Sequence, residues 1–297
     1  MGGVVQGRRL AIGACVVAPF LLGAAAGTPA TDDAVFRFTD PDIVESSGLV
    51  ALAGPTGAGL VVTTNDSGDA GRVFTVDPAT GDTVGVTSWT PEPTDVEALA
   101  PAGPGHVWVG DIGDNQRART SVEVLRVPVG RGRTTTSPRA YELVYPDGAR
   151  DAEALLSHPL TGQLFIVTKG VFSGSVYAAP SPLRADRANR LVEVAEAPGI
   201  VTDATFLPGG GGVVMRTYSA AHLSAYPSWQ PVSSWDLPQQ DQGEGIALAG
   251  RDLLVSTEGA RSEVLAVPLP PEAGMTDLRS PVWTSLRWLA TARGIPL

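Results

Sequence analysis

The chain has 297 residues, with 31 acidic and 21 basic side chains and a formal net charge of −10. That balance argues against nucleic acid or an anionic membrane surface as the main partner, because both attract basic proteins. The single cysteine, Cys15, excludes a disulfide bond within the chain.

The first thirty residues have the layout of a secretory signal peptide. Arg8 and Arg9 precede an apolar stretch at residues 10–27 that ends in small side chains. We therefore expect residues 1–30 to be removed on export, and residues 31–297 to form one domain that is secreted or held in the cell envelope. Without the two arginines the net charge becomes −12. No later segment is apolar for long enough to span a bilayer, so no transmembrane anchor is expected after cleavage.

A short motif recurs five times in the remaining chain. Each copy has a polar residue, a gap, a second polar or small residue and then an apolar run. The residues at the third position are Ser47, Glu97, Glu153, Ala204 and Glu244. In most units three further β-rich runs follow, separated by Gly and Pro turns. Four strands in each unit of roughly 50 residues are typical of propellers. We predict an all-β fold: a single β-propeller with five four-stranded blades.

The N-terminal strand is expected to close the ring. Residues 34–38 precede the first repeat, and pairing them into the last blade would remove the exposed strand edges. Six blades are the alternative, with a degenerate blade near the C-terminus. Residues 281–289 would otherwise supply a last outer strand.

Blade topology gathers polar residues at one mouth of the central channel. The first strand of an antiparallel blade begins where the second ends, so the repeated motif meets residues 65–69 (Asn-Asp-Ser-Gly-Asp) and 110–115 (Gly-Asp-Ile-Gly-Asp-Asn). Many carboxylates with no Cys or His beside them favour Ca²⁺ over zinc or copper. The candidate metal ligands are Glu45, Asn65, Asp66, Asp95, Asp111, Asp114, Asn115, Asp151, Glu244 and Glu258. The alternative is structural, since Asp and Asn after strands also accept backbone N–H bonds in turns.

Four further residues are candidates for catalysis at this mouth. Glu97 or Glu153 would act as general base. Lys169, the single lysine, and Arg216 would stabilise negative charge, or would only neutralise neighbouring carboxylates. A nucleophilic triad is disfavoured, because the chain has no Gly-x-Ser-x-Gly segment and the expected mature part has no cysteine.

The functional prediction is a secreted, monomeric, calcium-binding propeller that hydrolyses a small ester, a phosphoester or a lactone. Its ligand would be a small anionic or ester compound. The alternative is a non-catalytic module of the envelope or extracellular space that binds a glycan or a protein. Fold alone does not decide between them, since propellers serve many functions.

Several of these segments resemble a known group of proteins. Residues 46–49, 65–69, 110–115 and 151–155 are similar to segments of secreted actinobacterial β-propeller proteins. More distantly, the chain is similar to the β-propeller phytases and the phytase-related esterase-like proteins. That resemblance implies calcium held by carboxylates at the mouth and basic side chains that grip phosphate. The counterparts by role are positions 66, 111, 151, 153, 169, 216 and 244. With one lysine and few arginines predicted at the mouth, the chain departs from the broad basic cradle that a highly phosphorylated substrate needs.

Overall fold

The computed structural model describes residues 34–53, 59–66 and 68–278. The predicted signal peptide at 1–30 and the predicted outer strand at 281–289 lie outside the described residues. In chain order the strands are β1 (Ala34–Arg37), β2 (Ser46–Ala51), β3 (Val61–Asn65), β4 (Arg72–Asp77), β5 (Asp82–Trp89), β6 (Val96–Pro101), β7 (His106–Asp111), β8 (Val122–Pro128), β9 (Gly132–Thr136), β10 (Ala140–Val144), β11 (Ala152–Ser157), β12 (Leu164–Thr168), β13 (Ser173–Ala178), β14 (Asn189–Arg190), β15 (Val192–Pro198), β16 (Val201–Phe206), β17 (Gly212–Thr217), β18 (Ala220–Ala225), β19 (Gln230–Asp236), β20 (Gly243–Ala249), β21 (Asp252–Thr257) and β22 (Glu263–Pro268). One helix, α1 (Pro271–Leu278), follows them.

These strands form the five blades of a β-propeller. The sheet orders are β2-β3-β4-β5-β9, β6-β7-β8-β10-β14, β11-β12-β13-β15, β16-β17-β18-β19 and β20-β21-β22-β1. In each blade the first four strands are antiparallel neighbours. The innermost strands β2, β6, β11, β16 and β20 contact one another in that order, and β20 contacts β2. The predicted all-β propeller with five four-stranded blades is therefore confirmed.

The N-terminal strand closes the ring, as the sequence predicts. β1 pairs antiparallel with β22 and becomes the outermost strand of the fifth blade. Phe36 on this strand packs edge-to-face on Phe38 with 5.5 Å between ring centroids. Both rings are buried in the interface between the fifth and first blades. The two ends of the described propeller are thereby held in one sheet.

Two blades have a fifth strand that the repeat pattern does not predict. β9 runs parallel to β5 at the outer edge of the first blade, although in the chain it stands between β8 and β10 of the second blade. β14 likewise pairs in parallel with β10. β9 is mostly exposed and has the sequence Gly-Arg-Thr-Thr-Thr, so it lacks the apolar alternation that marks a half-buried strand.

The hydrophobic core is divided among the five interfaces between neighbouring blades. Each of the five apolar clusters combines side chains of two adjacent sheets. Helix α1 packs against β17 and β18, and its Ala273 joins the cluster between the fourth and fifth blades. Among the described residues, no helix has the length and apolar character that crossing a membrane requires.

A β-bulge opens the inner strand of every blade. In all five blades the pairing of the first strand with the second skips one or two residues near the start of the first. The skipped residues are Ser47 with Gly48, Glu97, Glu153, Thr202, and Glu244 with Gly245. A bulge re-aims a side chain out of the regular alternation, and bulges are frequent beside active sites.

The bulges correct the sequence alignment of the fourth repeat. The pattern places Ala204 at its third position, but the structurally equivalent residue is Thr202. Ser47 in the first blade donates its hydroxyl to the Glu97 carbonyl of the next blade (2.7 Å), and Thr202 donates to the Glu244 carbonyl in the same way (3.0 Å). The pattern begins the fourth repeat two residues too late, because the polar Thr202 matches its first position.

Candidate metal and catalytic site

The five bulges place three glutamates and two hydroxyls at one end of the channel. Glu97, Glu153 and Glu244 are all at most 4 % exposed, and Ser47 and Thr202 complete the ring. Residues that follow the second strands lie beside them, as blade topology predicts. The backbone N–H groups of Asp66, Lys169 and Glu258 each donate to the carbonyl of the residue just before an inner strand. We call Asp66, Asp95, Glu97, Glu153, Glu244 and Glu258 the acidic mouth.

Three of the predicted metal ligands accept hydrogen bonds from backbone N–H groups of the protein. The Asp111 carboxylate accepts N–H bonds from Thr94 (2.8 Å) and Asp95 (2.9 Å) and forms an ion pair with Arg119 (2.7 Å). Asp114 accepts from the backbone of Ala118 and Arg119, both at 2.9 Å.

Asp151 takes the same structural part between blades. One of its oxygens accepts the backbone N–H of Asp114 at 2.9 Å. Asp111, Asp114 and Asp151 together tie the loop after β7 to the starts of β6 and β11. These bonds match the structural alternative for the segment at residues 110–115.

Asn65 is also used by the backbone. Its side-chain oxygen accepts from the N–H groups of Val44 (3.1 Å) and Glu45 (3.2 Å). Its amide donates to the Asp42 carbonyl and to Asp69. Asn115 is exposed, and Glu45 is half-buried with its pKa raised by burial and by Asp66.

A three-carboxylate cluster remains after these residues are assigned. One oxygen each from Asp66, Asp95 and Glu97 lies within 4.8 Å of the other two. Asp95 Oδ1 is buried and has no hydrogen-bond partner. Ser47 Oγ donates to Glu97 Oε2 at the long distance of 3.5 Å. Three carboxylate oxygens this close together, with one Asp95 oxygen buried and without a donor, could hold a cation.

A glycine keeps space for this cluster. A Cβ atom at Gly113 would lie 2.4 Å from Asp95 Oδ2 and 2.7 Å from Glu97 Oε1. Any other residue would push the two carboxylates away. The second glycine of the Gly-Asp-Ile-Gly-Asp-Asn segment is therefore required, because a side chain there would collide with the two carboxylates.

Burial and mutual repulsion raise the pKa values of Asp95 and Glu97. Desolvation raises the pKa of Asp95 to about 6, with further increases from Asp66 and Asp151. Burial, then the neighbouring Glu153 and Asp66, raises the pKa of Glu97 far above its ordinary value. A bound divalent cation would offset this destabilisation of the charged forms.

Glu153 and Lys169 form a partly buried ion pair. Lys169 Nζ donates to Glu153 Oε1 at 2.9 Å, and the ammonium lies 5.6 Å from the centroid of the Tyr218 ring. Burial raises the pKa of Glu153, although Lys169 opposes the rise. Burial lowers the pKa of Lys169, but the Glu153 carboxylate outweighs this and raises it overall. Sequence analysis did not single out Tyr218 for a role at the site.

Glu244 and Glu258 form the third part of the acidic mouth. Glu244 is 4 % exposed, and its Oε2 is buried without a hydrogen-bond partner. Burial, and then Glu153, raises its pKa to about 8. Glu258 accepts a bond from Gln242 Nε2 at 2.6 Å, and burial followed by repulsion from Asp66 raises its pKa to about 7.

Arg216 is committed to the wall between the fourth and fifth blades. The residue is fully buried. Its Nη1 donates to the carbonyls of Gly245 (2.6 Å) and Ser256 (2.7 Å), and its Nη2 donates to Gln240 (2.7 Å). This placement favours a structural role over the predicted catalytic one.

Asp203 is a buried carboxylate that the site prediction missed. It is fully buried, and its two oxygens accept the N–H groups of Ala204 and Ile246, both at 2.8 Å. Burial raises its pKa well above the ordinary value. Because Asp203 binds the backbone of the neighbouring blade, it stabilises the ring. Its position directly after the bulge residue would identify it in the sequence, but the repeat pattern puts Ala204 at the bulge position instead.

Fold and site together define a five-bladed β-propeller with an acidic mouth. No protein family matches the chain, and no curated protein matches it either. Among solved structures, it is similar to a glutaminyl cyclase of Myxococcus xanthus, with a TM-score of 0.49 and 12 % identity over 80 % of this chain and 97 % of that one.

Two further solved structures are similar over most of this chain. A putative 6-phosphogluconolactonase of Bacteroides uniformis has a TM-score of 0.42 and 13 % identity over 76 % of this chain and 68 % of that one. An auxiliary nutrient binding protein of Bacteroides thetaiotaomicron has a TM-score of 0.39 and 9 % identity over 75 % and 57 %. These TM-scores are below 0.5, so the fold assignment rests on the strand topology of this chain. The resemblance to actinobacterial propellers and phytases stays a prediction.

Proposed function

We propose that this protein is an extracytoplasmic, calcium-binding β-propeller that hydrolyses a small ester at its acidic mouth. The observation that supports this most strongly is the convergence of Asp66, Asp95 and Glu97 within 4.8 Å, with Asp95 Oδ1 buried and unpartnered. The extracytoplasmic location rests on the first thirty residues of the sequence.

The donor set fits calcium. Asp66 follows β3 of the first blade, while Asp95 and Glu97 open the second, so a cation here would bridge two blades. The three ligands are carboxylates, which are hard donors of the kind that Ca²⁺ prefers. The six to eight oxygens that Ca²⁺ takes leave positions for water or a substrate oxygen. Glu97, a candidate base in the sequence, is reassigned here to cation binding.

Glu153 and Lys169 supply the proton chemistry in this proposal. Calcium bound to the cluster would polarise the ester carbonyl. Glu153 would accept the proton of the attacking water, and its raised pKa suits a general base working near neutral pH. Lys169, held 2.9 Å from Glu153, would stabilise the negative charge that develops on the carbonyl oxygen.

The charges of the site disfavour an anionic ester. Arg216 donates to backbone carbonyls, so in this proposal Lys169 alone faces the substrate, and one ammonium paired with Glu153 is too little to neutralise a phosphate group. A phosphoester would bring negative charge to a mouth that holds six carboxylates. Of the two ester classes that the sequence suggests, a lactone or similar carboxylic ester therefore fits better than a phosphoester.

Calorimetric titration of the EDTA-treated protein with calcium tests the cation site. We expect binding that raises the melting temperature, and a loss of affinity of at least about tenfold in Glu97→Gln. Glu142→Gln is the matched control, because Glu142 is exposed on β10 of the same blade. If neither calcium nor another divalent cation binds, the cation mechanism fails, and the carboxylates serve blade-to-blade architecture.

Turnover is tested on calcium-loaded protein with a panel of lactones, carboxylic esters and phosphoesters. Glu153→Gln is expected to lower kcat by about 10²-fold or more while calcium affinity is retained. Ester binding without turnover, unchanged by Glu153→Gln, would instead favour the binding module. That second candidate draws support from Asp111, Asp114 and Asp151, whose bonds to backbone amides are architectural.

A further inference from the structure

The acidic mouth keeps excess negative charge beyond what one divalent cation offsets. Six carboxylates surround it, and the cation cluster uses three of them. Lys169 is bonded to Glu153. Glu244 and Glu258 belong to the fifth blade, next to the first blade that carries Asp66. Neither forms a salt bridge among the described residues.

Glu244 is the most unusual of these residues. Only 4 % of its surface is exposed, yet Oε2 has no hydrogen-bond partner. A buried carboxylate oxygen without a donor destabilises the folded protein, because it has lost its hydrogen bonds to water. A ligand that supplies a donor would offset this cost. Arg216 lies close enough to influence the pKa of Glu244, but its Nη donors are directed to Gly245, Ser256 and Gln240.

The surroundings of Glu244 suit an organic cation better than a second metal ion. A metal needs several oxygens at one point, and in the described part of the chain the only such group is Asp66, Asp95 and Glu97. The half-buried Tyr218 lies close to Glu244 instead, because a Cβ at Gly243, the residue before Glu244, would be 3.2 Å from the Tyr218 carbonyl oxygen. The Tyr218 ring already faces the Lys169 ammonium, and carboxylates without a cation of their own are the groups that recognise a further ammonium.

We propose that the acidic mouth binds a ligand carrying a primary ammonium group, which Glu244 and Glu258 receive beside the cation cluster. Since this rests on the proposed function, the substrate class becomes a small ester that also bears an amino group. The ammonium would donate to Glu244 Oε2 and share its charge with Glu258, while the ester carbonyl faces Lys169 and the cluster.

The test compares two probes of equal shape and different charge. Benzylammonium and benzyl alcohol are titrated into calcium-loaded protein at a pH of about 8, with binding followed by calorimetry and by the ring signals in NMR. We expect benzylammonium to bind at least about tenfold more tightly than the alcohol. Glu244→Gln should remove most of that preference, and Glu258→Gln part of it. Glu142→Gln, the exposed control, should leave it unchanged.

The outcomes separate this inference from the proposed function. Equal binding of the two probes, or a preference that survives Glu244→Gln in a protein with an unchanged melting temperature, would overturn the ammonium site. A calcium stoichiometry of two that Glu244→Gln lowers to one would also overturn it, because a metal would then occupy the position. If benzylammonium binds selectively to a protein that binds no calcium, the ammonium site stands and the cation mechanism fails.

Discussion

Individual carboxylates at the mouth divide according to what their oxygens accept. Asp114 accepts two backbone N–H groups and stands at 6 % exposure, so its charge is balanced by the chain. Asp95 is half-buried, and one of its oxygens has no partner. The same side chain therefore stabilises the fold at one position and destabilises it at the other, where a ligand can bind.

Exchanging each of these carboxylates for its amide should separate stability from calcium binding. In Asp114→Asn one backbone N–H loses its acceptor, so the free energy of unfolding should fall by about 1–3 kcal/mol with calcium affinity unchanged. In Asp95→Asn repulsion is relieved, so the calcium-free protein should be at least as stable, while calcium affinity falls by at least about tenfold. Urea unfolding and calorimetry measure the two quantities. Equal losses of calcium affinity in both variants would contradict this division.

Sequence alone predicts which side chains reach the mouth but not which hydrogen bonds they form there. Blade topology brings Glu97, Glu153 and Lys169 together, as expected, since it depends only on strand order. The roles of Asp151 and Arg216 depend on hydrogen bonds that reach across blades, to Asp114 and Gly245. Such partners are set by packing over distances of many residues in the chain, and no local pattern records them.

At the scale of the element, the loop that follows β7 sets the geometry of the cation cluster. Gly113 donates its N–H to the Asp95 carbonyl at 3.1 Å, and Arg119 donates to the Gly113 carbonyl at 2.8 Å. The loop backbone thus lies directly against the two carboxylates. The loop contributes no ligand to the cluster, but its position decides how closely Asp95 and Glu97 approach each other.

Gly113→Ala should weaken calcium binding with every ligand still present. The added Cβ would stand 2.4 Å from Asp95 Oδ2, so the carboxylates must move, and we expect calcium affinity to fall by about tenfold or more. Gly274→Ala in α1 is the control, because its Cβ would meet no atom within 4 Å. That exchange should raise helix stability by up to about 1 kcal/mol and leave calcium affinity unchanged. Unaltered affinity in Gly113→Ala would show that the cluster does not bind the ion.

Elements with a repeated pattern are predictable, and those without one are not. The inner strands follow a motif seen five times, so their number and order are readable from the sequence. The parallel edge strands β9 and β14 have no counterpart in other blades. The bulges are predicted as polar positions but not as bulges, because an inserted residue shows only in the pairing of two strands. That is why Thr202 was missed at its position in the fourth blade.

For the whole molecule, the acidic mouth should make stability depend on pH and on calcium together. Burial raises the pKa of Asp95, Glu258 and Glu244 to about 6, 7 and 8, above the ordinary values of 3.8 and 4.5. The folded protein therefore binds more protons than the unfolded chain in this range, and its free energy of unfolding must rise as the pH falls. Arginine-paired carboxylates such as Asp77 have lowered pKa values, so their protonation destabilises the folded protein only at more acidic pH.

We therefore expect the EDTA-treated protein to melt at a higher temperature at pH near 5 than at pH near 8, by at least about 3 °C. Saturating calcium should remove or reverse this trend, since the ion binds the carboxylates that protons otherwise neutralise. Thermal unfolding by circular dichroism across that pH range, with and without calcium, measures both slopes. The Glu244→Gln variant should show a smaller slope without calcium, because one of the titrating groups is gone. A calcium-free protein that becomes less stable on acidification from pH about 8 to 5 would mean that the mouth carboxylates are already paired, and the acidic mouth would then be architecture alone.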